Sequence, residues 1–380
     1  GKGRRVLNRP SISGLDRINK VALIAILSAP GVGNRRAIEL VSLFETPDAV
    51  IGAPAREIAQ ALSVNIQIGK SIVQSCRNLE AAEKILDNTD KFGAEFVSFW
   101  DERYPERLKK IHDPPAALYI SGEDSPLYDY SVAIVGTRGA TDHAKSMAFR
   151  IGRDIAATGV TVVSGLALGI DTSAHEGALQ AGGRTVAVFG CGIDVVYPPS
   201  NAKLIERIRH QGAIMSEYPP GKQPNPGFFP SRNRIISGLS LGVLVVEAGR
   251  KSGALITARL ALEQGRELFA LPGLAGAHRT VGVNNLLRDG SAHLVESGAE
   301  ILDHLRSQIA PVTNVAATLT LPRLDDSEFS IYNLLEDGPR QIDQLIRNSD
   351  MKAVEVNRLL TSMQLKGLIR QLPGARVERV

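Results

Sequence analysis

The sequence predicts a Rossmann-like, doubly wound α/β core with an all-helical domain before it and a winged helix after it. Short apolar runs separated by helical patterns recur at 132–135, 161–163, 186–189, 213–215, 243–246 and 268–271. Runs that are apolar throughout indicate strands covered on both faces, as in a parallel sheet between helices. Helical spacing dominates the region before these runs, and three helical patterns with a hairpin follow them.

The N-terminal part predicts a basic tail and a helical domain. Residues 1–13 contain four basic side chains and no acid, which indicates a solvated tail. From 14 to 91, apolar residues recur at helical spacing. The apolar run at 21–29 is too short to span a membrane and continues the helical register of Leu15 and Ile18, so it predicts a core helix.

Two glycines in this domain mark a helix-hairpin-helix (SAM-like) pattern. Gly31 and Gly33 lie in the sequence Leu-Ser-Ala-Pro-Gly-Val-Gly between the first two helical patterns. Glycine lets the backbone turn tightly and point N–H groups at a phosphate. Such hairpins are also often architectural, so both roles stay open.

Residues 92–307 are predicted to form the extended Rossmann-like domain. Strand patterns at 96–100 and 117–120 and a short helical pattern at 104–111 precede the alternating runs. A linker of low charge is predicted at 308–322. Residues 323–380 then predict a winged helix, with helices at 329–335, 341–346 and 354–365 and a hairpin near 367–377. From Arg323 onward nine basic residues balance nine acidic ones, which favours a structural or protein-docking role over duplex reading.

Positive charge is concentrated in one segment. The whole protein has a net charge of +4 and a pI near 9.0. Residues 228–259 carry five basic side chains against the single acid Glu247. Cys76 and Cys191 fit neither a disulfide framework nor a zinc site, so we expect a cytoplasmic protein without metal or cofactor.

Glycine-rich turns follow several predicted strands. They contain Gly136, Thr137 and Arg138 after the first run, Ser164, Gly165, Gly169 and Asp171 after the second, and Lys251 and Ser252 after the fifth. Because the carboxyl ends of parallel strands meet at one edge of a sheet, these turns predict an anion-binding rim.

Arg232, Asn233 and Arg234 follow Phe228 and Phe229 in what we predict to be a proline-bounded loop. Acids are nearly absent from this segment, which argues against a surface salt-bridge cluster. Arginines beside exposed aromatic rings are typical of proteins that hold single-stranded nucleic acid. A place for either phenylalanine in the core stays open.

The sequence does not show the residue spacing that nucleotide-binding motifs of enzymes require. The glycines at 136 and 139 and at 190 and 192 do not complete a dinucleotide fingerprint, and Gly69-Lys70-Ser71 lacks the first glycine of a phosphate loop. Asp171 and His175 have no second histidine at helical spacing, so capping and local hydrogen bonding are favoured over catalysis. Glu247 is either a general acid or base, or it orients an arginine or a helix start. We therefore treat Asp171, His175 and Glu247 as site-shaping residues.

These segments resemble the DNA-processing protein A (DprA/Smf) family. The resemblance lies in Val132-Ala-Ile-Val-Gly-Thr-Arg138, Ser164-Gly-Leu-Ala-Leu-Gly-Ile-Asp171, Phe229-Pro-Ser-Arg-Asn-Arg-Ile-Ile-Ser-Gly238 and Lys251-Ser-Gly-Ala-Leu-Ile-Thr-Ala258, in order across about 100–300. It implies a non-catalytic recombination mediator of natural transformation (competence). Such a protein binds and protects incoming single-stranded DNA, forms a homodimer through its Rossmann domain, and loads the RecA recombinase, without a membrane role.

The predicted site combines the residue patterns with this resemblance. The predicted DNA-binding residues are Gly136, Thr137, Arg138, Ser164, Gly165, Gly169, Lys203, Phe228, Phe229, Arg232, Asn233, Arg234, Lys251 and Ser252. One alternative is a nucleotide-processing enzyme such as a phosphoribohydrolase, using Glu247 and Arg138. Its usual P-G-G-x-G-T-x-x-E motif is absent from the sequence. A second alternative is a duplex DNA regulator acting through the winged helix.

Overall fold

The protein was analysed as a computed structural model, which describes residues 14–122, 129–309, 326–335, 338–349, 351–365, 368–372 and 375–379. The predicted tail at 1–13 lies outside the described residues, as does the predicted linker apart from residues 308 and 309. Those two residues belong to a short helix, Arg306–Ile309. The chain divides into two compact units, 1–315 and 316–380.

The first unit begins with helices. They are α1 (Arg17–Leu27), α2 (Asn34–Phe44), α3 (Pro47–Ile51), α4 (Ala55–Ala61), α5 (Ile66–Cys76) and α6 (Leu79–Phe92). Asp16 caps α1 by accepting a hydrogen bond from the backbone N–H of Asn19, and Gly93 ends α6 in the left-handed conformation.

Within the described residues, nine strands form one sheet. They are β1 (Glu95–Ser98), β2 (Ala117–Gly122), β3 (Ser131–Val135), β4 (Thr161–Ser164), β5 (Thr185–Phe189), β6 (Ala213–Ser216), β7 (Gly242–Val245), β8 (Glu267–Ala270) and β9 (His293–Leu294). The helices of this region are α7 (Glu106–Lys109), α8 (Asp142–Ala157), α9 (Ile170–Gln180), α10 (Ala202–Gln211), α11 (Phe228–Leu239), α12 (Ala254–Glu263), α13 (Val281–Arg288), α14 (Gly298–His304) and α15 (Arg306–Ile309).

The strand order places a crevice at β3. The order is β1-β2-β6-β5-β4-β3-β7-β8-β9, parallel from β6 to β9, while β1 and β2 are antiparallel. The chain runs outward from β3 to β6 and then returns to the other side of β3 as β7. Ligands of doubly wound sheets bind at the carboxyl ends of the strands beside such a reversal. The predicted fold class is confirmed.

Helices cover both faces of the sheet. On one face α8, α9 and α14 bury residues such as Ile151, Ala174 and Ile301, and on the other α7, α11, α12 and α13 do the same. A further core joins α1–α6 to the sheet, since Leu23 and Leu40 share it with Phe189 and Ile214. The helical segment and the sheet are therefore packed as one body.

One predicted loop is a helix. The segment that begins at Phe228 was expected to be a proline-bounded loop, but Phe228–Leu239 forms α11. Ile235, Ile236 and Leu239 recur at helical spacing and are buried, and Pro230 occupies the first turn, where proline is tolerated.

The second unit is a winged helix, as predicted. It contains α16 (Asp326–Asn333), β10 (Arg340–Gln341), α17 (Ile342–Asn348), α18 (Ala353–Leu365), β11 (Ile369–Leu372) and β12 (Arg376–Arg379). The strands pair in the order β10-β12-β11, both pairs antiparallel. Ile331, Leu345, Leu360, Met363 and Val377 form its buried core.

Candidate nucleic-acid interface

A cleft lies at the carboxyl edge of the sheet beside β3. It consists of a cavity of about 500 Å³ and a smaller one of about 60 Å³. Both are lined by Arg138, Ala167, Tyr197, Phe229 and Arg232. The larger cavity falls within the range of about 300–1,000 Å³ that is typical of ligand sites.

Arg138 stands at the mouth of this cleft. It belongs to the turn that joins β3 to α8, and its side chain is exposed. The turn packs tightly, because a Cβ on Gly169 would lie 2.5 Å from the carbonyl oxygen of Arg138, and one on Gly136 would lie 2.4 Å from Ile170. Glycine at these positions lets two loops meet at the cleft.

Other exposed cations lie in segments that adjoin the residues lining the cleft. Lys251 and Arg250 lie in the loop after β7, and Lys203 follows Asn201, whose amide donates to the carbonyl of Leu166. Two exposed cations were missed from the sequence. Lys222 lies over the Phe228 ring, and Arg279 approaches Gly139 from the segment after β8. No motif marks either residue, since chain folding alone brings them to this edge.

The N-terminus of α12 also faces the cleft. Ser252, Gly253 and Ala254 line the larger cavity, and Gly253 at the N-cap provides no side-chain hydrogen bond. The N–H groups of Ala254, Leu255 and Ile256 are bonded to Ser252 and Gly253, so the helix dipole is what this end offers to an anion. Lys251, Ser252 and Gly253 thus form the turn that leads from β7 into α12.

Two aromatic pairs lie beside the cations. The rings of Phe229 and Tyr197 are 5.4 Å apart, and the Arg138 guanidinium lies 5.3 Å from the Phe229 ring centre. Phe228 instead stacks on Tyr218 at 4.3 Å. Both phenylalanines are half-buried, so each has an apolar contact and a surface that solvent reaches.

Arg232 is turned inward, unlike Arg138. It is 4% exposed, and its Nη1 donates to the carbonyl oxygens of Gly165, at 2.8 Å, and Val188. A Cβ on Gly165 would lie 2.5 Å from its Nη2, so only glycine leaves room for the guanidinium. Burial lowers the pKa of Arg232 to about 10. This arginine forms part of the floor of the cleft rather than its exposed rim.

Arg234 is held in a buried ion pair. Its two terminal nitrogens donate to the Glu217 carboxylate at 2.6 and 3.1 Å, and its Nε donates to the carbonyl of Asp113 at 2.9 Å. Acids are nearly absent from the segment 228–259 itself, as the sequence showed, but Arg234 is paired with the Glu217 carboxylate and also reaches the Asp113 carboxylate. Both acids come from segments distant in sequence, which a local charge count cannot register. Asn233, between the two arginines, is half-buried and lines the larger cavity.

Asp171 and Ser164 hold the turn after β4. The Asp171 carboxylate accepts hydrogen bonds from the backbone N–H groups of Gly165 and Ala167. Burial raises the pKa of Asp171 to about 6, against the lowering effect of Arg232. The Ser164 hydroxyl donates to the carbonyl of Ile134 at 2.6 Å, so it faces the interior.

His175 is completely buried behind this turn. Its Nδ1 lies 2.7 Å from the hydroxyl of Thr185, which itself donates to the carbonyl of Val162. Because that hydroxyl proton is already used, Nδ1 carries the ring proton and donates. Burial, followed by the charge of Arg232, lowers the pKa of His175 to about 3. Local hydrogen bonding, as favoured from the sequence, is what the geometry shows for His175.

The helix-hairpin-helix glycines lie at the surface of the helical segment. Gly31 has a φ of +80°, and Gly33 is the N-cap of α2. The next residue, Asn34, accepts a hydrogen bond from the backbone N–H of Ala116 at 2.9 Å and lies 3.4 Å from Glu217. The hairpin is thus tied to the sheet, and its contact with DNA stays a prediction.

The described residues contain no group of three or more histidine, cysteine, aspartate or glutamate side chains that would hold a metal ion. None of their helices is both long enough and apolar enough to cross a bilayer.

Family models match most of the chain. The model described as DNA recombination-mediator protein A matches residues 95–306, and the DprA winged helix domain model matches 315–375. Protein Smf from Synechocystis is 35% identical over 92% of this chain and 96% of its own length. DNA processing protein DprA from Streptococcus pneumoniae is 40% identical over 60% of this chain and 83% of its own.

Solved structures give the same result. The X-ray structure of DNA processing protein A from Streptococcus pneumoniae superposes with a TM-score of 0.66 at 34% identity, covering 74% of this chain and 97% of that one. A Helicobacter pylori structure, described for its single-stranded DNA binding mode, gives a TM-score of 0.51 at 35% identity, covering 56% and 96%.

Proposed function

Since this chain belongs to the DNA recombination-mediator protein A family, we propose that it binds single-stranded DNA in the cleft beside β3. Membership confirms the resemblance that the sequence motifs indicated. The protein is accordingly a DNA-processing recombination mediator, and transfer of the strand to a RecA-type recombinase is the step we propose to follow binding.

One observation carries the proposal. An exposed arginine, Arg138, lines a cavity of about 500 Å³ that the start of α12 also lines. A phosphate group placed between them meets a guanidinium and the positive end of the α12 dipole. The cavity continues past Phe229, so a base next to that phosphate has an aromatic ring within reach.

The strand is held by charge and stacking. The exposed side chains of Arg138, Lys203 and Lys251 neutralise phosphates, and this term is independent of sequence and sensitive to salt. Stacking on Phe228 or Phe229 adds about 1–3 kcal/mol per base. Gly136, Thr137, Gly169, Asn233 and Ser252 complete the proposed contact surface. Ser164, Gly165, Arg232 and Arg234, which the sequence also predicted to contact DNA, act from behind that surface by fixing its shape.

We propose a homodimer that joins two clefts. Strand β9 ends the sheet in the described residues, and its Leu294 is 54% exposed. Pairing of two Rossmann domains along this edge covers the leucine and lengthens the track for one strand. Sedimentation of Leu294→Arg tests this, because a charge at the edge is expected to yield monomers. An unchanged dimer excludes this edge as the contact.

Handover to the recombinase is expected to occur in the cytoplasm. Both cysteines, Cys76 and Cys191, are buried and unpaired, and burial raises the pKa of each thiol to about 11, which keeps them unreactive. These properties suit a reducing compartment. A pull-down of the recombinase with and without single-stranded DNA tests the partnership, and failure to recover it in either condition argues against direct loading.

The position of Glu247 does not favour the enzyme alternative. Glu247 is 3% exposed, and both its carboxylate oxygens accept hydrogen bonds from Thr141. Glu247 is also not among the residues that line either cavity of the cleft, so it does not face the place where a substrate would bind. The duplex-regulator alternative is tested by deleting residues 323–380, which we expect to leave most single-strand affinity intact. Loss of nearly all binding would instead support a nucleic-acid role for the winged helix.

The function is tested by filter binding with single- and double-stranded oligonucleotides of one sequence over a salt series. We expect tighter binding of the single strand. Arg138→Ala is expected to weaken it about tenfold and to reduce the salt slope by about 0.7, the value for one lost phosphate contact. Arg56→Ala, an exposed arginine on α4, serves as the control. Equal affinity of Arg138→Ala and wild type would contradict the site.

A further inference from the structure

Glu247 contacts both ends of the turn that carries Arg138. It lies two residues after the end of β7, the strand that pairs with β3 on the side away from β4. Its carbonyl oxygen accepts a hydrogen bond from the backbone N–H of Thr137 at 2.8 Å. Its carboxylate accepts from the backbone N–H of Thr141 at 3.2 Å and from the Thr141 hydroxyl at 2.7 Å. One residue thus holds the turn on either side of Arg138.

The clamped segment leaves little room for movement. Only residues 138–140 lie between the two threonines, and the loop after β4 closes the opposite side through Gly169 and Ile170. Thr141 is also the N-cap of α8, since its hydroxyl accepts from the backbone N–H of Ala144. The Glu247 carboxylate therefore fixes the turn and the start of α8 together.

The negative charge of Glu247 is unexpected beside a cleft that is proposed to bind phosphate. A buried carboxylate close to an anion-binding cleft repels phosphate, so its charge opposes the proposed ligand. Its hydrogen bonds at the start of α8 stabilise its charge, but they do not explain why the acid faces this turn in particular. Pre-organisation of the turn explains this placement, because a side chain on a fixed backbone loses less entropy when it binds.

We propose that Glu247 is a positioning residue that holds Arg138 in place for a DNA phosphate. This inference rests on the proposed function. Removing the negative charge of Glu247 would by itself tighten DNA binding. Loss of the hydrogen bonds that hold the turn should instead weaken it, so the two effects have opposite signs.

The test compares four proteins in the same filter-binding assay: wild type, Glu247→Gln, Arg138→Ala and the double variant. Glu247→Gln is expected to bind single strands about three- to tenfold more weakly, although the protein becomes more positive. The double variant should bind no more weakly than Arg138→Ala, because the clamp acts through that arginine. Glu263→Gln, an exposed acid on α12, is the matched control and should bind as tightly as wild type or slightly more so.

The outcomes separate the two proposals. If Arg138→Ala binds normally, the DNA site itself is wrong. If Arg138→Ala binds weakly while Glu247→Gln binds as well as wild type or better, the site stands and the positioning role is wrong. Additive losses in the double variant also contradict the positioning role.

Thr141 provides a second route if Glu247→Gln does not fold. Thr141→Ser keeps the hydroxyl that Glu247 accepts from, while Thr141→Val removes it at similar volume. Serine should preserve single-strand affinity, and valine should reduce it about threefold or more. Equal affinity of the serine and valine variants would overturn the inference.

Discussion

The turn after β3 and the first half of α11 both place an arginine on the same cleft, but the arginines of the two regions differ in exposure and in their partners. Arg138 is exposed, and its guanidinium lies 5.3 Å from the centre of the Phe229 ring. Arg232 and Arg234 are both buried. Arg232 donates hydrogen bonds to two carbonyl oxygens, and Arg234 forms an ion pair with the Glu217 carboxylate.

This difference shows that a cation count does not measure the charge available to a ligand. The side chain of Arg234 already has a partner that neutralises it, so it contributes little to the field outside the protein. A mutation in α11 should therefore act mainly on the stability of the fold, and a mutation on the rim mainly on DNA binding. The following predictions test that division.

The largest effect is expected from Glu217→Ala. Removing this carboxylate leaves Arg234 buried without its main partner, which should cost about 3–5 kcal/mol of unfolding free energy. Urea unfolding followed by the fluorescence of Trp100, the single tryptophan, measures it. Glu206→Ala, which breaks an exposed pair with Arg209, is the control and should cost at most about 1 kcal/mol. Equal losses of unfolding free energy in the two variants would show that the buried ion pair of Arg234 stabilises the fold no more than an exposed pair does.

The next effect depends on pH. His175 has a pKa of about 3 in the folded protein against an ordinary value of 6.5, so the fold favours the neutral ring. That contribution is complete above pH 6.5 and is lost as the pH falls through 6.5 toward 3.

The loss of unfolding free energy caused by His175→Asn should therefore be smaller at pH 5 than at pH 7.5. The expected decrease is about 2 kcal/mol, since each pH unit below 6.5 corresponds to about 1.4 kcal/mol. Asp171, whose raised pKa acts in the opposite direction, is present in both proteins and cancels. Urea unfolding at the two pH values is the measurement, and a cost independent of pH would refute the buried neutral histidine.

A pair of glycine substitutions tests the packing of Arg232. Gly165→Ala places a methyl group 2.5 Å from Nη2 of Arg232, and the two hydrogen bonds of Arg232 resist its displacement. We expect a loss of about 1–3 kcal/mol in thermal or urea unfolding. At Gly253, a Cβ has no atom within 4 Å, so Gly253→Ala should be close to neutral. Similar stabilities of both variants would mean that Arg232 is not fixed.

The smallest effect is expected on the rim. Lys251→Ala should leave the unfolding free energy unchanged and weaken single-strand binding on the order of threefold, because it removes one exposed phosphate partner. Lys84→Ala, on the exposed side of α6, controls for net charge. If both lysine variants lose the same affinity, binding depends on overall charge rather than on this rim.

The fold was predictable because its signals are local. Apolar runs such as 132–135 and 243–246 and the turns that follow them depend on neighbouring residues, and parallel topology then brings the turns together. The partners of the arginines were not predictable in this way. Glu217 and Asp113 reach Arg234 from other segments, and Arg279 reaches Gly139 only through the tertiary fold. Helix α11 was missed because its glycine and proline neighbours resemble a loop, while the burial of Ile235 and Ile236 decides its conformation.

The core shared by α1–α6 and the sheet also affects how the chain folds during its synthesis. Leu23 and Leu40 pack in one cluster with Ile214, so the first helices cannot finish burying their apolar faces until that strand is synthesised. About 120 residues separate the end of α6 from Ile214, which corresponds to about 6–24 s at translation rates of about 5–20 residues per second. During this interval the nascent helices expose apolar surface on the ribosome. Chaperones that recognise such segments should therefore act on this protein early in its synthesis, well before it meets DNA.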